Sequence, residues 1–231
     1  MLRLCQVLSL IAMQAAAQTP NTLTDAERAA GWKLLFDGKS PAGWHGYGTK
    51  DFPAGWQVVD GALTRVAMAG DIITAEKFRD FELALEWKMA PGGNSGIFYR
   101  GVEAPDPKLT PIYHSAPEMQ VLDDAKHADG KSPLTSAGSN YGLYPAPRGV
   151  VKAADQWNSV RIVVQGNHVE HWLNGTKVVG YELGSADWTA KVKASKFTEW
   201  PNYGKAAEGV IGLQDHGDRV AYRSIKIRPI R

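Results

Sequence analysis

Beyond its first twenty residues, the chain alternates short apolar and polar runs in the way that β-strands do. Eight stretches show this pattern between Gly, Asn, Asp and Pro residues: WKLLFDG, WQVVDGALTRV, DFELALEWKMA, NSGIFYRG, EMQVLDD, NSVRIVVQGNHVEHWLNGTKVVGYEL, GVIGLQDHG and VAYRSIKIRPI. Helical signals are found only in TLTDAERAAG, with Thr24 as the expected N-cap and Gly31 as the expected end. The pattern predicts an all-β domain with one short helix near its start.

The clearest local signal is a three-stranded meander over residues 158–183. Its strands alternate apolar and polar residues and are joined at Gly166-Asn167 and Asn174-Gly175. Asn174-Gly175-Thr176 also matches a glycosylation acceptor, but the alternation on both sides favours a tight turn. A meander and many other short strands predict a two-sheet jelly-roll sandwich of the concanavalin A-like type.

Two long stretches lack any strand pattern, residues 101–117 and residues 124–156. Both are rich in Pro, Gly, Ser and Asp, and loops of this length in a compact domain usually carry function. No linker interrupts the pattern, so we expect one domain over residues 31–231, preceded by a segment at 18–30.

The first 17 residues resemble a secretory signal peptide. They contain a basic start at Arg3, an apolar run from Leu4 to Met13 and small residues before the expected cleavage after Ala17. The run is too short to span a bilayer, so no membrane span is expected. The only cysteine, Cys5, lies within this segment. We therefore expect a periplasmic or secreted protein without disulfides.

Net charge and aromatic content indicate which classes of partner to expect. The formal net charge is +2, which gives no reason to expect a nucleic acid as partner. The chain has eight Trp and eight Tyr, whose rings suit both sandwich cores and the faces of sugars.

One strand ends in a cluster of proton-transfer groups. Glu118 and Gln120 share a strand face, and a β-bulge before Asp123 would bring that carboxylate onto the same face. The resulting E-x-Q-x-x-D resembles the E-x-D-x-x-E motif of laminarinase-type glucanases. Asp123 is shorter than the Glu it replaces and position 120 is an amide, so direct glycoside hydrolysis by two carboxylates is disfavoured.

Two further strands contribute candidates. GGNSGIFYRG offers Asn94 and Arg100, and Arg100 beside Glu118 would hold an anion or polarise a carbonyl oxygen, although a surface salt bridge is an alternative. GLQDHG offers Gln214 and His216 at the end of its strand.

The six histidines differ in their surroundings. His127 and His216 each end a polar cluster, which sets them above His45, His114 and His168 as functional candidates. His171 points the same way as apolar strand neighbours and is expected in the core. Tyr141, in the second long loop, is a further candidate for substrate binding.

A bound metal is a weaker hypothesis. A divalent ion could be held by four residues: Glu118, Asp123, Asp124 and His127. No spaced metal motif accompanies them, so no cofactor is certain.

Five ordered motifs resemble the 3-keto-disaccharide hydrolase domain family, over residues 31–231: LLFDGKSPAGW, GNSGIFYRG, EMQVLDD..H, EHWLNG and GLQDHGDRVAYRSIKIRPI. The resemblance implies a concanavalin A-like β-sandwich and cleavage of glycosides oxidised to a ketone at sugar carbon 3. The residues that fall on family motif positions are Asn94, Arg100, Glu118, Gln120, Gln214 and His216.

Such a reaction needs a base for the hydrogen on carbon 2, a stabiliser for the enolate oxygen and an acid for the leaving group. Glu118 or His127 would be the base, and His216 or Asp123 the acid. Arg100 would be the stabiliser, together with Gln120 or a metal. The rival hypotheses are a non-catalytic carbohydrate-binding module and an endoglucanase-like glycosidase.

We expect the exported protein to begin near Gln18 and to contain no thiol, because signal peptidase cleaves after small residues. Intact-mass measurement on protein recovered from an exporting host tests this. Recovery of exported protein that still carries residues 1–17 would contradict it.

Overall fold

The computed structural model describes residues 18–103 and 111–230, so the expected signal peptide lies outside the described residues. Thirteen strands are found in this part of the chain: β1 Lys33–Leu34, β2 Trp44–Gly46, β3 Trp56–Val59, β4 Ala62–Arg65, β5 Ile72–Thr74, β6 Phe81–Met89, β7 Asn94–Gly101, β8 Glu118–Leu122, β9 Asn158–Gln165, β10 His168–Leu173, β11 Thr176–Glu182, β12 Val210–Leu213 and β13 Val220–Pro229. The same described residues also form two α-helices, α1 Asp25–Ala29 and α2 Ala186–Lys193.

The strands form two antiparallel sheets. The eight-stranded sheet has the order β11-β10-β9-β6-β13-β4-β3, with β1 also paired to β13, and the five-stranded sheet has the order β2-β5-β12-β7-β8. The predicted all-β two-sheet sandwich is therefore confirmed. No helix among the described residues is long and apolar enough to span a membrane.

Alternation along the strands builds the main core between the sheets. On β6, Leu83, Leu85 and Trp87 point inward, and on the facing sheet Ile97 and Met119 do the same. Each such side chain contributes ~1.5–3 kcal/mol by its removal from water. The core thus fixes which face of each strand points away from it.

The predicted meander is confirmed as β9, β10 and β11. Asn174 and Gly175 both have positive φ, 49° and 81°, as the tight turn requires. The Asn174 side chain donates to the Val150 carbonyl and the Asn158 amide, both at 2.8 Å. The geometry and hydrogen bonds of the tight turn therefore account for the asparagine at position 174.

The helix predicted at the start of the domain is confirmed as α1. Thr24 is its N-cap, with a capping box to Glu27. The prediction of only one helix was wrong, because α2 follows β11. Ser185 caps α2, and Trp188 is its only buried residue. The apolar periodicity of α2 is therefore too weak to reveal it.

Candidate active site

A cavity of about 340 Å³ opens on the face of the five-stranded sheet that is turned away from the core. Its floor is made of polar side chains from three neighbouring strand ends: Asn94, Glu118, Gln120 and Gln214. Its walls come from the loops that cover the sheet: Tyr113, Tyr141, Lys196, Trp200 and His216. Strand parity produces the floor, since Met119 and Val121 between these positions point into the core.

Glu118 lies across the neighbouring strand because Gly96 leaves room for it. A Cβ on Gly96 would lie 2.1 Å from Glu118 Oε1, closer than any real contact. Gly96 does not have a positive φ. The glycine is therefore required for the space it leaves, and that space positions the carboxyl over the floor of the cavity.

The amide of Gln120 connects the floor. In the orientation that satisfies both ends of the amide, Gln120 donates to Glu118 Oε1 at 3.1 Å and to the Ser95 carbonyl at 3.2 Å. Asn94 lies 3.3 Å away on the adjacent strand. Gln214 is only 8 % exposed, and its Oε1 has no hydrogen-bond partner in the described structure. These side-chain amides can both donate hydrogen bonds to sugar hydroxyls and accept hydrogen bonds from them.

Tyr141 reaches the cavity because residues 138–141 pair with the free edge of β8. The Tyr141 N–H donates to the Glu118 carbonyl at 3.1 Å, and the Gln120 N–H donates to Ser139 at 3.0 Å. The Tyr141 hydroxyl donates to Asp129 at 3.3 Å. The second long loop therefore supplies a wall of the cavity.

Aromatic rings form another part of the wall. Trp200 stacks on His114 with ring centroids 4.5 Å apart, and Tyr113 lies 5.2 Å from Trp200. Lys196, in the 3₁₀ turn Lys196–Glu199 after α2, holds its ammonium 4.7 Å from the ring of Tyr141. Rings at a polar floor are suited to the apolar face of a sugar.

Burial raises the pKa of Glu118 to about 8. The positive charge of Lys196 lowers it, while the negative charges of Asp71 and Asp129 raise it. A carboxyl with a pKa this close to neutrality can both accept and return a proton.

Asp71 lies directly before β5 and is partly buried, and burial raises its pKa to about 6. It accepts a hydrogen bond from Asp215 N–H at 2.8 Å. Asp215 in turn accepts from Ala69 and Gly70 N–H at 2.6 and 2.9 Å and pairs with Arg65 at 2.7 Å. This reciprocal set of bonds holds the turn that carries His216.

Arg100 is not beside Glu118, so that part of the prediction was wrong. A bulge between β7 and β12 gives Arg100 a positive φ of 52°. Its guanidinium donates to the Arg79 carbonyl at 3.0 Å, to Gly166 at 2.7 Å and to Asp80 at 3.2 Å. Arg100 therefore joins the two sheets at a distance from the cavity floor.

Asp123 and His127 are also directed elsewhere. β8 pairs with β7 without a bulge, so Asp123 does not join the face of Glu118. It accepts instead from Gly92 N–H at 2.7 Å and Ala125 N–H at 3.2 Å. His127 Nδ1 accepts from Asp129 N–H at 3.1 Å and caps a 3₁₀ turn.

The four residues considered for a metal do not converge. Asp124 accepts from Ala137 N–H at 2.8 Å, Asp123 from Gly92 N–H and His127 from Asp129 N–H. Glu118 instead lines the cavity. In the described ranges, no group of three or more His, Cys, Asp or Glu side chains is placed to hold an ion.

Two further histidines, His216 and His171, differ in their burial. His216 is exposed and lines the cavity. His171 is fully buried between the Gly138 carbonyl at 3.0 Å and the Tyr99 hydroxyl at 2.8 Å, and burial lowers its pKa to about 4. The predicted core histidine is therefore confirmed.

Comparison with known proteins identifies the family. The profile of the 3-keto-α-glucoside-1,2-lyase-like domain matches residues 31–228. The chain belongs to this family. The resemblance seen in the five sequence motifs is thus confirmed.

Two relatives are similar over most of the chain. The 3-keto-disaccharide hydrolase of Bacteroides thetaiotaomicron is 39% identical over 228 residues, which cover 87% of this chain and 79% of the relative. A Parabacteroides distasonis protein described as a glycosyl hydrolase has a crystal structure with a TM-score of 0.85 and 33% identity, covering 92% of this chain and 100% of that one.

A Bacillus subtilis protein of unknown function with a galectin-like fold is 16% identical, covers 91% of this chain and 94% of that one, and has a TM-score of 0.53. This likeness concerns the fold alone.

Sequence reasoning missed four residues at or near the cavity: Asp71, Tyr113, Lys196 and Trp200. Lys196 and Trp200 follow α2, which was itself missed. Signals for that helix were present, since Ser185 precedes Asp187 in the first turn and Lys193 in the last. Asp71 could not be found from local pattern, because register alone brings it near Gln214.

We expect Gly96→Ala to push the Glu118 carboxyl from its place and lower the catalytic rate by ~10²-fold, as small misplacements of a reacting group do. The fold should survive, because the added methyl meets the end of a flexible side chain. Catalytic rate and thermal unfolding of the variant test this.

Gly180→Ala is the matched control, since its Cβ would meet Lys177 Cε at 3.0 Å on a strand outside the cavity. We expect this control to keep full activity. Equal rates for the two variants would contradict the role given to Gly96.

The raised pKa of Glu118 makes stability depend on pH. Between its usual 4.5 and about 8, Glu118 keeps a proton in the folded protein that the unfolded chain has lost. Rising pH therefore lowers the free energy of unfolding across this interval, by on the order of a few kcal/mol. We expect the stability of Glu118→Gln relative to wild type to increase over this interval and to level off above it, as measured by urea unfolding.

Because the charge of Asp71 raises the pKa of Glu118, the same comparison in an Asp71→Asn background should level off at a lower pH. A wild-type-to-variant difference that does not vary with pH would disprove the raised pKa.

Proposed function

We propose that this protein cleaves the glycosidic bond of sugars that carry a ketone at carbon 3. The observation that carries the proposal is the single buried carboxyl of Glu118, with its pKa near neutrality, on a cavity floor otherwise made of amides. The family, and the name of the Bacteroides relative as a 3-keto-disaccharide hydrolase, support the substrate class.

The ketone makes one base sufficient. A carbonyl at carbon 3 acidifies the hydrogen on carbon 2, and Glu118 in its ionised form removes that hydrogen as a proton. The electron pair of the C–H bond forms a carbon 2–carbon 3 double bond, and the carbonyl pair moves to oxygen. When the ketone re-forms, the pair expels the group on carbon 1 and leaves a carbon 1–carbon 2 double bond.

His216 is the proposed acid for the departing oxygen, because it lines the cavity whereas Asp123 is held by backbone N–H groups. Asn94, Gln120, Gln214 and Tyr141 are the proposed contacts for sugar hydroxyls. Addition of water to the double bond would make the net reaction a hydrolysis, and release before that step would make it a lyase reaction.

The two rival functions fit the cavity less well. A retaining glucanase needs two carboxyl groups about 5–5.5 Å apart, and Asp123, which was the expected second member, is turned to Gly92 and Ala125. A carbohydrate-binding module needs amides and rings but gains nothing from a desolvated acid, whose burial costs free energy.

We also propose that the protein acts outside the cytoplasm, on the strength of its signal-like first 17 residues. A divalent ion stays a hypothesis, and activity after EDTA treatment and after metal addition tests it.

We expect the purified protein to release the aglycone from a 3-keto-glycoside and to leave the unoxidised glycoside intact, because only the ketone acidifies the carbon 2 hydrogen. Glu118→Gln should lower the rate by at least ~10²-fold, as loss of a general base does. The wild type should also exchange the carbon 2 hydrogen with solvent deuterium. Aglycone release and mass spectrometry measure these outcomes.

Glu199→Gln, at an exposed position in the 3₁₀ turn after α2, is the control and should retain wild-type rates. Equal turnover of both glycosides would favour the glucanase function. Binding of both without turnover would favour the carbohydrate-binding module.

A further inference from the structure

The proposed reaction places a negative charge on the ketone oxygen, and the cavity must contain a group that stabilises it. Arg100, which the sequence suggested for this role, has its guanidinium committed to Arg79, Gly166 and Asp80. Within the described part of the chain, Lys196 is the only Lys or Arg that lines the cavity.

Lys196 is held by an anchored turn. Ser195 accepts a hydrogen bond from Phe197 N–H at 3.2 Å and donates to the Val192 carbonyl at 2.9 Å. The Phe197 ring is 3 % exposed and packs 4.2 Å from Tyr203. The backbone of Lys196 is therefore fixed while its side chain projects to the cavity.

The Lys196 ammonium has aromatic neighbours instead of a carboxylate partner. It lies 4.7 Å from the centroid of Tyr141 and 5.5 Å from that of Phe197. No carboxylate of residues 18–103 or 111–230 lies within salt-bridge distance of it. Rings attract a cation but leave its donors free for an oxygen.

We propose that the Lys196 ammonium binds the oxygen of the carbon 3 ketone and stabilises it as an enolate while Glu118 takes the proton from carbon 2. This proposal rests on the proposed function of the same cavity. Both side chains line the same cavity. In the proposed arrangement Glu118 receives the proton, and Lys196 faces the oxygen on which the charge develops. The same ammonium lowers the pKa of Glu118, which agrees with their shared place in the cavity.

Stabilisation of the enolate precedes departure of the leaving group. Loss of Lys196 should therefore slow carbon 2 hydrogen exchange and aglycone release by the same factor. Loss of an acid such as His216 should slow aglycone release and leave exchange intact. This contrast separates the stabiliser from groups that act later.

The test compares Lys196→Met, Lys196→Arg and Lys193→Met on the full chain with a 3-keto-glycoside. Lys193 is the control, because it is an exposed lysine at the end of α2 that lines a different cavity. We expect Lys196→Met to lower kcat and the exchange rate by ~10²–10³-fold, the usual effect of losing one oxyanion donor. KM should change less, Lys196→Arg should recover part of kcat, and Lys193→Met should match wild type.

The pH profile gives a second readout. For wild type, kcat/KM should rise with pH through the pKa of Glu118, about 8. In Lys196→Met this limb should move to higher pH, because a positive charge that lowers that pKa is gone. This shift tests whether the Lys196 ammonium faces Glu118, while the losses of kcat and of carbon 2 exchange test its role at the ketone oxygen.

Exchange at the wild-type rate in Lys196→Met, or an effect on KM or thermal stability alone, would overturn the role of Lys196 and leave the proposed function standing. Absence of exchange and release in the wild type itself would overturn the proposed function. The two failures are thus distinguishable.

Discussion

The five-stranded sheet is covered on both faces, and the candidate site depends on this double burial. Every residue of β7 and of β8 is buried. One face packs on the second sheet, and the other lies under the loops that carry Tyr113, Tyr141 and Trp200. Polar side chains on the covered outer face are removed from most of the water, so they must be paired or uncharged. Desolvation is accordingly the largest influence on the pKa of Glu118.

Local rules accounted for the parts of the fold that local contacts determine. The Asn174-Gly175 turn, the α1 cap at Thr24 and the buried His171 each follow from residues adjacent in sequence or from strand parity. Glu118, Gln120, Asn94 and Gln214 came together for the same reason. Parity fixes their face, and strand order places β8, β7 and β12 side by side.

Predictions from strand parity failed where the backbone departs from a regular strand or where a bulge was wrongly assumed. Arg100 has the parity of Gly96, but the bulge before it redirects its side chain to carbonyl oxygens of the other sheet. Asp123 was given a bulge that β8 does not have, and a turn N–H claims its carboxylate. Lys196 reaches the cavity from the 3₁₀ turn after α2, which is far in sequence from β7 and β8. The residues next to Lys196 in the sequence give no sign of this long-range contact.

The amide at position 120 has a consequence for the chemistry. A carboxylate there would lie about 3 Å from Glu118, where two like charges strongly oppose ionisation of both, and one carboxyl would stay protonated as an acid. Gln120 instead donates a hydrogen bond to Glu118 Oε1, which favours its ionised form and opposes the effect of burial. Burial still dominates and raises the pKa of Glu118 to about 8. In the proposed reaction, such a pKa suits a base that takes a weakly acidic proton from carbon and returns to its starting state. In the proposed reaction the ketone makes the carbon 2 hydrogen acidic, so the bond at carbon 1 can break without the second carboxylate that a glucanase uses.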